Sequence, residues 1–105
     1  SLTILTWGKN QTQPKYFNQQ GLTTGVLLKN GIGSLHSINI SGVVNNANIT
    51  LYDGTSTAGT VIYTTGAMTN QTIPISIPFN NGINFENGLY LTITGANCNA
   101  QVIYE

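Results

Sequence analysis

Two carboxylates lie inside the chain, Asp53 and Glu86, and a pair of carboxylates is the minimum equipment of a glycoside hydrolase. Each stands beside a turn dipeptide, Asp53-Gly54 or Asn87-Gly88, where acidic side chains commonly accept hydrogen bonds from local backbone. Turn chemistry therefore accounts for both without catalysis. His36 is the sole histidine. In the run Leu35–Val44 it shares the parity of Ile38 and Ile40, which puts it on the apolar side at the start of a strand, or out in solvent if pairing begins later. Either way it reads as structural. Cys98 is alone, so no intrachain disulfide can form, and a lone cysteine in such a chain reads as a small buried hydrophobe. One histidine, one cysteine and no acidic cluster assemble neither a zinc ligand set nor a calcium loop. Ser34 follows Gly33 but has no Gly-x-Ser-x-Gly elbow around it. Gly31-Ile32-Gly33 lacks the third glycine of a dinucleotide loop, because position 36 is histidine. The expectation is a protein that is not an enzyme and uses no cofactor or metal.

The elements around these residues follow a period of two. Ile73, Ile75, Ile77 and Phe79 alternate with Thr72, Pro74, Ser76 and Pro78, and Leu89, Leu91 and Ile93 alternate with Tyr90, Thr92 and Thr94. Ile38 and Ile40 against Ser37, Asn39 and Ser41 make a third case. Such alternation marks strands with one apolar and one polar face. Pro74 and Pro78 lack an N–H, so their strand is expected at a sheet edge. Further strands are expected at Ile49–Asp53, Thr60–Thr65 and Gln101–Glu105, with others at Leu2–Trp7 and Gly25–Lys29. Asn30-Gly31, Asn81-Gly82, Asn87-Gly88 and Asp53-Gly54 supply the positive φ of tight hairpins between them. No stretch keeps a helical period. The fold class predicted is all-β: a single antiparallel β-sandwich, jelly-roll-like and almost without helix, spanning 1–105 as one domain. The core is expected where the Ile38, Ile49, Ile75 and Leu91 strands meet.

One segment breaks the pattern. Residues 8–21 are polar, carry two of the three lysines, and set Pro14 beside Tyr16 and Phe17. They read as a polar loop or arm, and loops this long are often functional. Trp7, Lys15, Tyr16 and Phe17 are the candidate residues for contact with another subunit, since aromatic side chains dominate interface hot spots.

Charge narrows the partners. Charged residues make up 6% of the chain against about 25% in an average soluble domain, so solubility rests on Asn, Gln, Thr, Ser and exposed backbone. Three lysines balance three carboxylates, giving a formal net charge of zero, and arginine is absent. Three scattered lysines make no basic groove for nucleic acid, nor a surface for an anionic membrane. Near-zero net charge does remove the long-range repulsion between copies. Sequons at Asn10, Asn39, Asn48 and Asn70 carry no weight in a chain so rich in Asn, Ser and Thr. No run is long and apolar enough for a membrane-spanning helix, and the first residues are not a signal peptide. The start at Ser1, without Met, is what a trimmed or processed terminus would give.

The run Ile49-Thr50-Leu51-Tyr52-Asp53-Gly54-Thr55 continues to Ile62 and is followed by Ile83-Asn84-Phe85-Glu86-Asn87-Gly88-Leu89-Tyr90 and a terminal Val102-Ile103-Tyr104-Glu105. As a unit this resembles small β-sandwich virion proteins of tailed bacteriophages, of the capsid decoration or head-fibre type. The resemblance covers roughly the last two-thirds of the chain and leaves residues 1–33 without a counterpart. It implies a non-enzymatic structural role in the virion. The partners it implies are other copies of the chain, a trimer being favoured, and a major capsid or other virion protein. A carbohydrate- or receptor-binding module uses the same kind of sandwich and stands as the alternative, with a glycan as ligand.

Overall fold

The computed structural model describes residues 18–20, 25–70 and 73–105. Eight strands run in chain order: β1 (Asn18–Gln20), β2 (Val26–Asn30), β3 (Gly33–Ser41), β4 (Asn48–Asp53), β5 (Thr60–Thr64), β6 (Ile75–Phe85), β7 (Gly88–Thr94) and β8 (Asn99–Tyr104). No helix occurs among the described residues. The front sheet has the order β1-β8-β3-β6 and the back sheet β2-β7-β4-β5, and every pairing is antiparallel. The expected all-β sandwich is the fold observed.

The pairings have a simple rule. First pairs with last, second with seventh, third with sixth and fourth with fifth. The chain is thus a long antiparallel ribbon folded back at the β4–β5 hairpin. Rolling that ribbon brings β8 against β3 and β7 against β4, which closes the two sheets.

Between the sheets lies one apolar core. Leu35, Ile38 and Ile40 of β3 and Ala100 and Val102 of β8 face Ile49 and Leu51 of β4 and Leu89, Leu91 and Ile93 of β7, with Phe85 and Cys98 also fully enclosed. Burying a side chain of this size stabilises by about 1.5–3 kcal/mol, so the four central strands carry most of the driving force. Ile75 is only half-buried at the margin of the core, and Ile73 is 73% exposed and precedes its strand. The alternation across Ile73–Phe79 therefore holds from Ile75 onward. As Pro74 and Pro78 require, β6 is an edge strand among the described residues, bonded there to β3 alone. Across the open side Tyr63 of β5 meets Phe79 of β6 edge-to-face at 5.0 Å, joining the two sheet margins. Tyr104 spans the layers, its hydroxyl donating to the Leu28 carbonyl at 2.9 Å. That carbonyl belongs to the residue that the β2–β7 register skips. Burial raises the Tyr104 phenol above its ordinary value.

Three of the four turn dipeptides adopt a positive φ, but those three do not form the tight hairpins expected of them. Gly31 has a φ of 95°, yet it links β2 in the back sheet to β3 in the front sheet. Glu86-Asn87 likewise carries the chain from β6 to β7 across the sandwich. Neither is a hairpin within one sheet. Asn81 and Gly82, with φ of 67° and 74°, do not reverse the chain at all. They form a bulge inside β6, where Leu35 pairs with Ile83 but Ser37 already pairs with Pro78. Asp53-Gly54 does open the β4–β5 hairpin, though without a positive φ at Gly54.

Candidate functional site

The β3 bulge decides where His36 points. Register on both neighbours jumps from Leu35 to Ser37, so His36 is the unpaired extra residue and the parity of the strand resets there. Leu35 and Ile38 both face inward, three residues apart, and His36 turns to the outer surface instead of the apolar side. Its Nε2 lies 2.9 Å from Glu105 Oε1, both side chains being partly exposed. Ser34, on the same stretch, donates to Asn84 Oδ1 at 2.6 Å. An exposed pair of this kind contributes little beyond tethering the end of β8 to β3.

Asp53 ends β4 and bonds a distant corner, not its own turn. Its carboxylate accepts the backbone N–H of Asn87 at 2.8 Å and that of Glu86 at 3.1 Å. Those donors, Asn87 first, hold the acid below its ordinary value of 3.8, with the Gly88 N–H adding to them and burial opposing them. An ionised carboxylate saturated by backbone donors is poorly placed to deliver a proton. What it does is pin the β6–β7 crossing onto the end of β4. Cys98 is enclosed in the core, and burial raises its thiol. No cluster of three or more metal-ligating side chains occurs among the described residues.

The two outer faces of the sandwich differ in chemistry. On the back sheet, register aligns Leu27 with Tyr90, Tyr90 with Tyr52, and Tyr52 with Val61. Their neighbours Leu51, Leu89 and Leu91 point into the core, so this row faces outward across all four strands. Leu27 is 41% and Val61 50% exposed at its two ends. The Tyr52 and Tyr90 rings meet at 6.3 Å and 61°, an edge-to-face contact. Beside it runs a row of Thr92, Thr50 and Thr64, the last two sharing a hydroxyl hydrogen bond of 3.2 Å. On the front sheet, Ser76 Oγ donates to Asn39 Oδ1 at 2.9 Å, and Asn39 Nδ2 to Gln101 Oε1 at 3.2 Å, an amide ladder across β6, β3 and β8. Next to it Asn39, Ser41, Pro74, Asn99 and Gln101 line an open groove of about 280 Å³.

Trp7, Lys15, Tyr16 and Phe17, expected as contact residues, lie outside the described residues, as does the Leu2–Trp7 strand. Of the expected 8–21 arm, Asn18–Gln20 are described, and they are not loop. They form β1, paired with β8 of the same sandwich. The Leu27–Tyr90–Tyr52–Val61 row was half-visible in the sequence. Alternation already puts Tyr52 and Tyr90 opposite the core, but which strands lie side by side is a long-range fact. No family model, no curated protein and no solved structure matches the chain.

Proposed function

We propose that this chain is a non-enzymatic structural component of a virus particle, a bacteriophage capsid decoration or head- or tail-associated protein that works as a homo-oligomer. The observation that carries this reading is the strand pairing. An eight-stranded ribbon folded at β4–β5 and rolled into two four-stranded sheets supports a jelly-roll reading of the sandwich, an architecture that viral capsid domains share with lectin domains. That is an argument from architecture, and the surface adds to it. The outer back face offers an uncharged row of Leu27, Tyr90, Tyr52 and Val61 to a neighbour, and near-zero net charge lets copies approach. The resemblance of residues 49–62, 83–95 and 102–105 to phage virion proteins points the same way. Asp53, the most obvious candidate acid, is occupied in holding the corner at Glu86 and Asn87.

A second reading, a glycan-binding module, has one feature in its favour: the amide-lined groove on the front sheet. It ranks second because the aromatic pair lies on the opposite face and its rings meet at 61°, so the two do not make one flat stacking platform. Capsids of the encoding virus, stripped of this protein, separate the two readings. Saturable rebinding at a fixed ratio to the capsid subunit is expected. Failure to rebind, together with glycan-array binding that Asn99→Ala and Gln101→Ala remove, would give the module reading the lead.

A further inference from the structure

Among the described residues the two sheets have four edges, β1, β6, β2 and β5, each presenting backbone N–H and C=O groups that another strand can pair. Two of them are blunted. Strand β6 carries Pro78, follows Pro74, and is bent by the Asn81-Gly82 bulge. Strand β2 carries Lys29 and slips register at Leu28. Of strand β1, only Asn18–Gln20 lie among the described residues. Strand β5 reads Thr60-Val61-Ile62-Tyr63-Thr64, with no charge, no proline, and only β-branched and aromatic side chains. Its one irregularity is the register slip at Ile62 against β4.

We propose that the β5 edge is where two copies of this chain join, β5 running antiparallel to β5 about a two-fold axis, so that two back sheets become one eight-stranded sheet. This rests on the homo-oligomer part of the function proposed above and makes it specific. Three observations select a second copy as the occupant. An antiparallel edge is complementary to itself, so one strand supplies both sides of the contact. Neither β5 nor the chain as a whole opposes the approach by net charge. The outward apolar row ends on β5 at Val61, half exposed, and the pairing sets the second copy's row beside it, covering the Val61 end of each. The symmetry is two-fold, in place of the trimer that the phage resemblance favours.

Sedimentation velocity of the full chain across a concentration series, combined with backbone amide exchange, is the test. The parent is expected to dimerise, and β5 amides to gain protection as the dimer fills. Val61→Lys, and separately Thr60→Lys, should weaken the dimer by about tenfold or more, since each places two like charges, one from each copy, along the joint. Val44→Lys, at a position similarly exposed but remote from β5, should leave it unchanged. Circular dichroism must stay that of the parent in all three. A parent that oligomerises equally well with Val61→Lys and Thr60→Lys overturns the β5 joint while leaving the oligomer reading standing. A monomeric parent overturns both, and β5 amides protected in that monomer would mean the edge is filled from within the same chain.

Discussion

The Asp53 carboxylate accepts the backbone N–H of Asn87 at 2.8 Å, across 34 residues of sequence. With it the end of β4 holds the corner where the chain leaves the front sheet for the back. A side chain that the local sequence assigns to its own turn thus fastens two layers. Asp53→Ala, which removes the acceptor, should lower stability by about 1–2 kcal/mol, and Asp53→Asn, which keeps one oxygen, by less. Urea unfolding midpoints of the two variants measure the difference.

The same contact sets a pH dependence. The folded-state acid lies below its ordinary value of 3.8, so on acidification the unfolded chain takes up the proton first. The clamp's contribution is therefore complete above about pH 5 and is lost as pH falls through 3.8 toward the lower folded-state value. Urea midpoints taken from neutral pH down to pH 3 should fall more steeply for the parent than for Asp53→Asn. Parallel curves would remove the carboxylate from the account.

Core and margin should separate cleanly. Leu51→Ala or Ile38→Ala, both fully buried between the central strands, should cost about 2–5 kcal/mol. Ile75→Ala, half-buried on edge strand β6, should cost less than either, and Ile73→Ala, exposed ahead of that strand, should fall within about 0.5 kcal/mol of the parent. Thermal unfolding of the four variants gives the order.

Cys98 provides an internal probe. It is enclosed in the core with its thiol raised by burial, and it is the only cysteine in the chain. A thiol reagent at neutral pH should label the native protein only as fast as the structure opens, and label it at once in denaturant. Rapid labelling of the native state would contradict the placement of the β7–β8 connection.

Strands were legible because burial imposes a period of two that residue types record directly: Leu89, Leu91 and Ile93 are inside, and Tyr90 and Thr92 outside, as their alternation says. Turn backbone was legible for a local reason too, since Asn and Gly tolerate positive φ wherever they stand. Which strands a turn joins is not local. Asn30-Gly31 and Asn87-Gly88 cross between sheets, and Asn81-Gly82 interrupts a strand, because those outcomes depend on partners far away in sequence. The His36 bulge is of the same kind: one extra residue reverses every later parity, and only the pairing of β3 with β6 and β8 reveals it. The outward tyrosine row was legible only in halves, each tyrosine in its own strand, until register set Tyr52 beside Tyr90.

The central proposal is that this chain is a repeated structural part of a virus particle. Quantitative mass spectrometry of purified particles of a virus encoding this sequence addresses that proposal directly. The account predicts the chain in the particle at a fixed copy number, in a constant ratio to the major capsid protein and commensurate with the particle's symmetry. Particles that contain none of it, or only traces that vary from one preparation to the next, would contradict the claim.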